Sequence, residues 1–372
     1  MIAATLVLLM NPLTFNPTHS HLSRLELQRW GTESLADIDK AYWSPALGRY
    51  AQKPSVTDSE TRASAFCWDL GVQLSALTSA AHVDPVRYLP RLKRLVSTIE
   101  PYINFSNGVR GLSVLPNLNN PDRFYDDNAW IAIAMADAYS LNPDTKWLSL
   151  CKIALDFALS GEDFKLGGGI YWREREKASK NTCSNAPTAV AALNYYLITH
   201  DLKYLHTANR LLNWTQKTLQ DGDGLYFDNI HLDGTLDKTK WSYNTALMIE
   251  GEVLRYEITK DSKHLNEAKR VAIVAANRWV NAKTGALKDD GSFAHLLCDA
   301  WLRLARHDSD PRWPKLVHAA LAYVHNNVHA TDGHYAKRWD TAPAAEDSKI
   351  LLDQASVARA YWQSVREWKS EK

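Results

Sequence analysis

Long stretches of the chain repeat apolar residues every three or four positions, and short runs of Gly, Asp and Asn separate them. That period is helical and predicts helices almost throughout. The stretches come in two kinds. One, seen in YLPRLKRLVSTI and HLNEAKRVAIVAANRW, is charged along one side and apolar along the other, as suits an outer helix. The other, seen in AWIAIAMADAYSL, APTAVAALNYYL and SFAHLLCDAWLRLA, is apolar on several faces and rich in small residues, as suits a crowded inner ring. The inner helices are expected to begin near Ala63, Asp127, Thr182, Trp241, Ser292 and Ser348.

Two landmark series run through this pattern. An Asp followed by a basic residue opens the outer type at Asp84, Asp144, Asp201, Asp261 and Asp310. Asp is a favoured N-cap because its carboxylate accepts from free backbone N–H groups. A loop Gly, often beside an aromatic, recurs at Gly48, Gly108, Gly168, Gly224, Gly285 and Gly333. Both series step by roughly sixty residues and shorten together at the end, which is the mark of one unit repeated six times. Each unit reads as an outer helix, a Gly loop and an inner helix. The expected fold is all-α, an (α/α)6 barrel of six helical hairpins in two concentric rings, with an open solenoid of hairpins as the alternative. In the barrel, the Gly loops and the N-termini of the inner helices share one end, where free N–H donors and partial positive charge gather. A cleft belongs there.

Composition narrows the function. The 43 basic and 42 acidic side chains leave a net charge of +1, so no basic field exists to hold a nucleic-acid backbone. Fourteen Trp in 372 residues suit a carbohydrate cleft, where indole faces meet sugar C–H faces, although Trp also fills cores. Cys67, Cys151, Cys183 and Cys298 show no CxxC spacing and read as buried free thiols rather than a zinc cage. The apolar run over residues 1–10 is too short to span a membrane. It has the length of a signal-peptide core but lacks a preceding Lys or Arg and a following cleavage site. Residues 1–20 are read as an arm or residual signal segment, and 21–372 as a single catalytic domain.

Three inner helices are expected to start with acidic pairs: Asp126-Asp127, Asp289-Asp290 and Glu346-Asp347. Such a pair can simply cap a helix. It can also serve glycoside hydrolysis, in which one carboxylic acid protonates the leaving oxygen while a second carboxylate attacks or activates water. Mutual repulsion between adjacent carboxyls raises one pKa and leaves the other group ionised. Position alone does not choose among the three.

Context does. Asp126-Asp127 lies in Phe124-Tyr-Asp-Asp-Asn-Ala-Trp130, which resembles the Asp-Asp-x-x-Trp signature of glycoside hydrolase family 76, the endo-α-1,6-mannanases and their transglycosylase-like relatives. Trp241-Ser-Tyr-Asn244 is similar to that family's Tyr-Asn-Gln-Gly helix start, and Lys180-Asn181-Thr-Cys-Ser-Asn185 to its Lys-Asn-x-x-x-Asn segment. The resemblance implies an (α/α)6 barrel, and hydrolysis of α-1,6-mannosidic bonds with retention and without a metal or other cofactor. It implies Asp126 as nucleophile and Asp127 as acid/base. The chain departs from the family pattern at Ile131, Thr245 and Ala246, which bears on subsite preference more than on reaction class.

Further candidates for substrate contact are Trp68, Tyr125, Trp130, Trp172, Asn181, Asn185, Tyr243 and Asn244, with core packing or helix capping as their competing roles. Asn104-Phe-Ser and Asn213-Trp-Thr fit the glycosylation sequon. His325, His329 and His334 lack supporting carboxylates and make a poor metal site. The expected partner is an oligo- or polysaccharide met outside the cytoplasm, by a monomer without nucleic acid, membrane span, metal or cofactor. A transglycosylase and a non-catalytic glycan-binding protein remain alternatives. A sugar 2-epimerase is disfavoured because only His295 lies near an inner-helix start, and an unsaturated uronyl hydrolase because only Lys180 and Arg62 are basic there.

Overall fold

The computed structural model describes residues 22–57, 59–60, 63–345, 347 and 349–368. The apolar run 1–10, the rest of the arm to residue 20, Arg62, Glu346 and Ser348 lie outside them. In chain order the described helices are α1 (Arg24–Tyr42), α2 (Cys67–Val83), α3 (Pro85–Val96), α4 (Tyr125–Leu141), α5 (Thr145–Leu159), α6 (Thr182–Thr199), α7 (Leu202–Leu219), α8 (Ser242–Thr259), α9 (Ser262–Trp279), α10 (Gly291–Leu304), α11 (Arg312–Tyr323) and α12 (Leu351–Arg366). The even-numbered helices form a closed inner ring, in which each packs on the next and α12 packs back on α2. The odd-numbered helices surround it, making an (α/α)6 barrel.

The landmark residues have physical causes. Asp84, Asp144, Asp201 and Asp261 each accept a backbone N–H in the first turn of the outer helix they precede. Asp310 does the same for Arg312 N at 2.9 Å. All six landmark glycines have left-handed φ, from 64° to 136°, a region that side chains resist. At Gly169, next in the third loop, a Cβ would fall 2.5 Å from the Trp214 ring.

The hairpins fall differently from the expected unit. Each outer helix packs chiefly on the inner helix before it, α3 on α2 and α5 on α4, and α1 packs on α12. The turns between these partners are short, whereas the Gly loops are the longer crossings to the next inner helix. Two inner helices begin later than expected. Ser64 is held extended in a bridge with Ala51, which delays α2 from Ala63 to Cys67, and α12 begins at Leu351 rather than near Ser348.

The crossings carry short antiparallel strands: β1 (Trp43–Ser44) with β2 (Arg49–Tyr50), β3 (Ile103–Ser106) with β4 (Val109–Leu112), and β5 (Ser179–Asn181) with β6 (Asn229–His231) and β7 (Leu236–Asp237). The inner helices are buried around most of their circumference and supply most of the core. Their alanines let the six helices approach closely. All four cysteines are buried free thiols. No described helix is long and apolar enough to cross a membrane.

Candidate active site

The inner helices present their N-termini at the mouth of the barrel, and a repeated device fixes three of them to their loops. Asn128, the fourth residue of α4, accepts from Leu112 N at 2.8 Å and donates to Leu112 O at 2.9 Å. Asn185 on α6 does the same to Ile170 at 2.8 and 3.0 Å. Gln354 on α12 does so to Tyr335 at 2.9 and 3.0 Å. Each carboxamide extends the loop backbone by one strand-like rung, and the loop is thereby held against its helix.

This device corrects the expected role of Asn185. The residue is fully buried, and its amide serves Ile170 and the Asn181 carbonyl. It holds the loop that carries Trp172 and has no donor left for a sugar. Tyr125 is corrected likewise. It is 2% exposed, stacks on Phe157 with centroids 5.0 Å apart, and fills the space that Gly161 leaves open.

Asp126 and Asp127 stand in the first turn of α4. Their surroundings differ. Asp126 Oδ2 accepts from the Trp172 indole N–H at 3.0 Å, and Oδ1 accepts from the Asp127 backbone N–H at 3.1 Å. Burial holds the Asp126 carboxyl above the usual carboxylate range, and these donors oppose the shift. Asp127 is pushed far higher, first by burial and then by Asp126, Asp69 and Asp122. The two carboxyls are therefore unequal, and Asp126, with its donors, gives up its proton before Asp127 does.

The other two acidic pairs are engaged elsewhere. Asp289 accepts the backbone N–H of Ser242 at the start of α8 at 2.8 Å. Asp290 precedes α10 without a side-chain capping bond and pairs with Lys337 at 3.0 Å. Asp347 lies before α12 and accepts from Ala344 N at 2.7 Å, so it does not open an inner helix as expected, and Glu346 lies outside the described residues.

A row of nearly parallel rings begins on α4, one turn after Asp126. Trp130 meets Trp68 at 6.5 Å and 19°, Trp68 meets Phe293 at 6.0 Å and 17°, and Phe293 meets Tyr243 at 4.4 Å and 13°. Trp241 tilts onto Phe293 at 5.3 Å. Trp68 and Phe293 are half-buried, whereas Trp130 is almost wholly covered. Trp172 is 43% exposed and leans on Phe124. Asn244 is buried and donates to Asp228 Oδ1 at 3.1 Å, while its own oxygen has no partner. Asn181 is nearly buried and accepts from the Ser179 hydroxyl at 2.7 Å.

Phe293 and Asp228 were not singled out in the sequence. Aligning the six inner-helix starts would have found Phe293. The third residues are Asp69, Asp127, Ser184, Asn244, Phe293 and Asp353, so Phe293 stands where α4 has Asp127. The same register exposes Asp69 and Asp353, both almost fully buried, and burial pushes them up to about 7 and about 8.

Other candidates have structural roles. Lys180 is buried, and its ammonium donates to Asp163, to Lys165 O at 2.7 Å and to Gly168 O at 2.6 Å. It anchors the Gly-rich loop and is not free to meet a substrate carboxylate. His295 is buried beside Arg359, which with burial keeps the imidazole neutral. His325 stacks on Trp30 and His329 on Tyr335. Among the described residues no group of three or more His, Cys, Asp or Glu is placed to hold a metal. At the sequons, Asn104 is engaged with Tyr102 O, Ser113 and Arg123, and Asn213 accepts from Arg255.

The chain matches the model of Glycosyl hydrolase family 76 over residues 34–367. It superposes on a family 76 α-mannanase of Bacteroides thetaiotaomicron with a TM-score of 0.85 and 31% identity, over 91% of this chain and 95% of that one. The Meiotically up-regulated gene 191 protein of Schizosaccharomyces pombe is 29% identical over 167 residues, 41% of this chain and 38% of its own. Mannan endo-1,6-alpha-mannosidase DCW1 of Candida glabrata is 28% identical over 151 residues, 36% of this chain and 34% of its own. These two matches thus span little more than a third of each relative's length.

Proposed function

The chain belongs to glycosyl hydrolase family 76, and from that footing we propose that it is a retaining, endo-acting glycosidase that cleaves α-1,6-mannosidic bonds in α-mannan. The observation that carries the proposal is the unequal pair at the start of α4. Asp126 has donors that favour its charge, and Asp127 faces burial and like charges that favour its proton. The linkage is supported by the likeness to relatives named for α-mannan and 1,6-α-mannosidic cleavage.

In the first step Asp126 attacks the anomeric carbon as Asp127 protonates the departing glycosidic oxygen. The products are a glycosyl ester on Asp126 and a carboxylate on Asp127. Forming the ester removes the Asp126 charge, so the Asp127 carboxylate loses its nearest repulsion and can persist. In the second step that carboxylate takes a proton from water, the hydroxyl oxygen bonds to the anomeric carbon, and the Asp126 ester bond breaks. Trp68 and Phe293, backed by the buried Trp130 and Tyr243, supply an apolar wall for sugar faces, and Asp228, Asn244 and Asn181 supply polar groups near it. Residues 21–372 act as one catalytic domain, as a monomer without cofactor. A polymeric mannan places its action outside the cytoplasm.

The test is incubation with linear α-1,6-mannan, followed by chromatography of the products. Oligosaccharides are expected from the parent. Asp126→Asn and Asp127→Asn are each expected to lose about a thousandfold or more in rate while keeping their fold by circular dichroism. Near-parent turnover in either variant sinks the assignment of the pair. Lengthened rather than shortened chains would instead make the protein a transglycosylase.

A further inference from the structure

Three residues before Asp126 the chain is clamped by a buried ion pair. Arg123 has no exposed surface, and its five guanidinium N–H groups make five hydrogen bonds. Nε and Nη2 fork onto the Glu174 carboxylate. Nη2 also donates to Ser106 O at 2.8 Å, and Nη1 donates to Val109 O at 3.0 Å and Asn104 Oδ1 at 3.3 Å. The guanidinium lies over the Phe157 ring of α5, 4.5 Å from its centroid. Asn107, at the tip of the β3–β4 hairpin, donates to the same Glu174 carboxylate at 3.1 Å. One cation thus ties together the hairpin, the lead into α4 and the third crossing, which carries Trp172.

The two segments that flank this pair run antiparallel. Glu174 N donates to Arg123 O at 3.1 Å, Tyr125 N donates to Trp172 O at 3.0 Å, and Phe124 bridges Arg173. Arg173 pairs with Asp122 at 2.6 Å and lies over the Phe124 ring, on which Trp172 leans. From this short ladder the Trp172 indole donates to Asp126 Oδ2 at 3.0 Å.

We propose that Glu174, through its ion pair with Arg123, is a positioning residue of the glycosidase reaction, holding the third crossing where the Trp172 indole meets the Asp126 carboxylate. The proposal rests on the reading of Asp126 as nucleophile. Trp172 is 43% exposed, so its own packing does little to fix where its N–H points. A hydrogen bond weakens steeply as it bends or stretches, and a shift of about an ångström is enough to impair a reaction. The planar fork between guanidinium and carboxylate has a fixed geometry. It carries the rigidity of the hairpin and of α4 to the loop two residues from the indole.

The lock acts by geometry and not by charge, because Arg123 and Glu174 offset each other. The acids around the Asp126-Asp127 pair are Asp69 and Cys67 on α2, Asp122 before α4, Cys183 on α6, and Tyr243 on α8 with Asp228 before it. Removing the Glu174 carboxylate leaves the Arg123 cation unmatched three residues from Asp126. By charge alone, that cation would favour ionised Asp126 and move the acid limb of the pH profile to lower pH. Loss of the indole donor moves it to higher pH. The sign separates the two.

The experiment measures kcat/KM against pH on α-1,6-linked manno-oligosaccharides for the parent, Glu174→Ala, Trp172→Phe and the double variant. Glu174→Ala is expected to lose about three- to tenfold and to raise the acid limb by about half a pH unit. In the Trp172→Phe background, where the donor is already gone, the same change is expected to cost less than about twofold and to leave the limb in place. Equal losses in the two backgrounds overturn the proposal, since a pair that only stabilises the fold acts alike in both. An unmoved limb in Glu174→Ala, a limb that moves to lower pH, or an unmoved limb in Trp172→Phe overturns it equally. If Glu174→Ala does not fold, Glu174→Gln enters the same cycle. It keeps the shape and gives up one bond of the fork, so a smaller rise that vanishes beside Trp172→Phe is expected, and any other result overturns the proposal. Parent-like activity in Asp126→Asn removes the underlying reading of the nucleophile and is seen independently of Glu174.

Discussion

The two ends of the inner ring treat carboxylates in opposite ways. At the closed end, where the inner helices finish, Asp137 on α4 accepts from Arg366 at 2.7 and 3.0 Å and from His82 at 3.2 Å. Its carboxyl is held well below the usual range by these two residues despite burial. Nearby, Glu257 pairs with Arg303 at 2.6 Å and His307 at 2.9 Å, and Glu367 pairs with Arg306. At the open end, Asp126, Asp127, Asp69 and Asp353 are all pushed up, with burial the largest cause in each. Among these carboxylates, the ones with cationic partners join helices and the ones without them are pushed up; a cation alone is not enough, since Asp299 pairs with Arg359 and burial still pushes it up to about 7. The paired end joins helices together. The unpaired end stores protons and repulsion, a cost that functional sites commonly carry.

The sharpest way to break this contrast is to remove a carboxylate from the paired end. Asp137→Ala leaves Arg366 and His82 without their shared anion. A third of the Asp137 side chain meets water, so the expected loss is about 2–3 kcal/mol of stability rather than the larger cost of breaking a fully buried pair. Activity per folded molecule should be unchanged. The sign with pH follows from the lowered pKa: the contribution is present above about pH 4 and fades as acid protonates the carboxylate. Urea denaturation of parent and variant at pH 7 and pH 3.5 measures both parts. A variant as stable as the parent at pH 7 would mean that the closed end is not held by its ion pairs.

The contrast also bears on what could be read from the chain before its structure. The repeat was legible because its signals are local. Asp at the outer-helix starts and Gly in the crossings each answer a backbone demand within a few residues. Which inner helix each outer helix covers was not legible, because periodicity identifies an apolar face without identifying its partner. The acidic pair of α4 stood out through its neighbours in sequence. Asn185 did not yield its role, since its partner Ile170 lies fifteen residues upstream on a loop. Phe293, Asp228, Asp69 and Asp353 each stand alone in their own repeat, and only the closed ring brings them to one mouth.

A second test uses Asp353, which is pushed up to about 8 by burial, with Asp69 adding repulsion, and whose oxygens have no partner. A raised folded-state pKa means that its contribution to stability is fully present below the unfolded value near 4. That contribution is lost as pH rises through the folded value. Asp353→Asn keeps the shape and cannot ionise. It should match the parent at pH 4 and exceed it by about 2 kcal/mol at pH 8, seen as a melting temperature a few degrees higher. The paired end predicts the reverse for its own carboxylates. If Asp353→Asn is destabilised at every pH, the carboxyl makes a bond that stability depends on, and the two ends are less different than their charges suggest.

The finest test concerns Trp172, whose indole reaches across from the third crossing to Asp126. Trp172→Phe keeps an aromatic ring against Phe124 and removes only the N–H donor. A hydrogen bond to a charged group is worth about 1.5–3 kcal/mol, but Asp126 keeps the donor from the Asp127 backbone N–H. The expected effect is therefore nearer the lower bound, about a tenfold loss in kcat/KM, with the acid limb moving to higher pH as the ionised carboxylate loses support. The direction of that limb distinguishes two roles for one side chain. If Trp172 were only a surface on which a sugar stacks, the phenylalanine variant would raise KM and leave the limb in place. If the indole N–H helps keep Asp126 ionised, the limb moves, and the open end carries its unpaired charge because a neutral donor stands where the closed end has arginine.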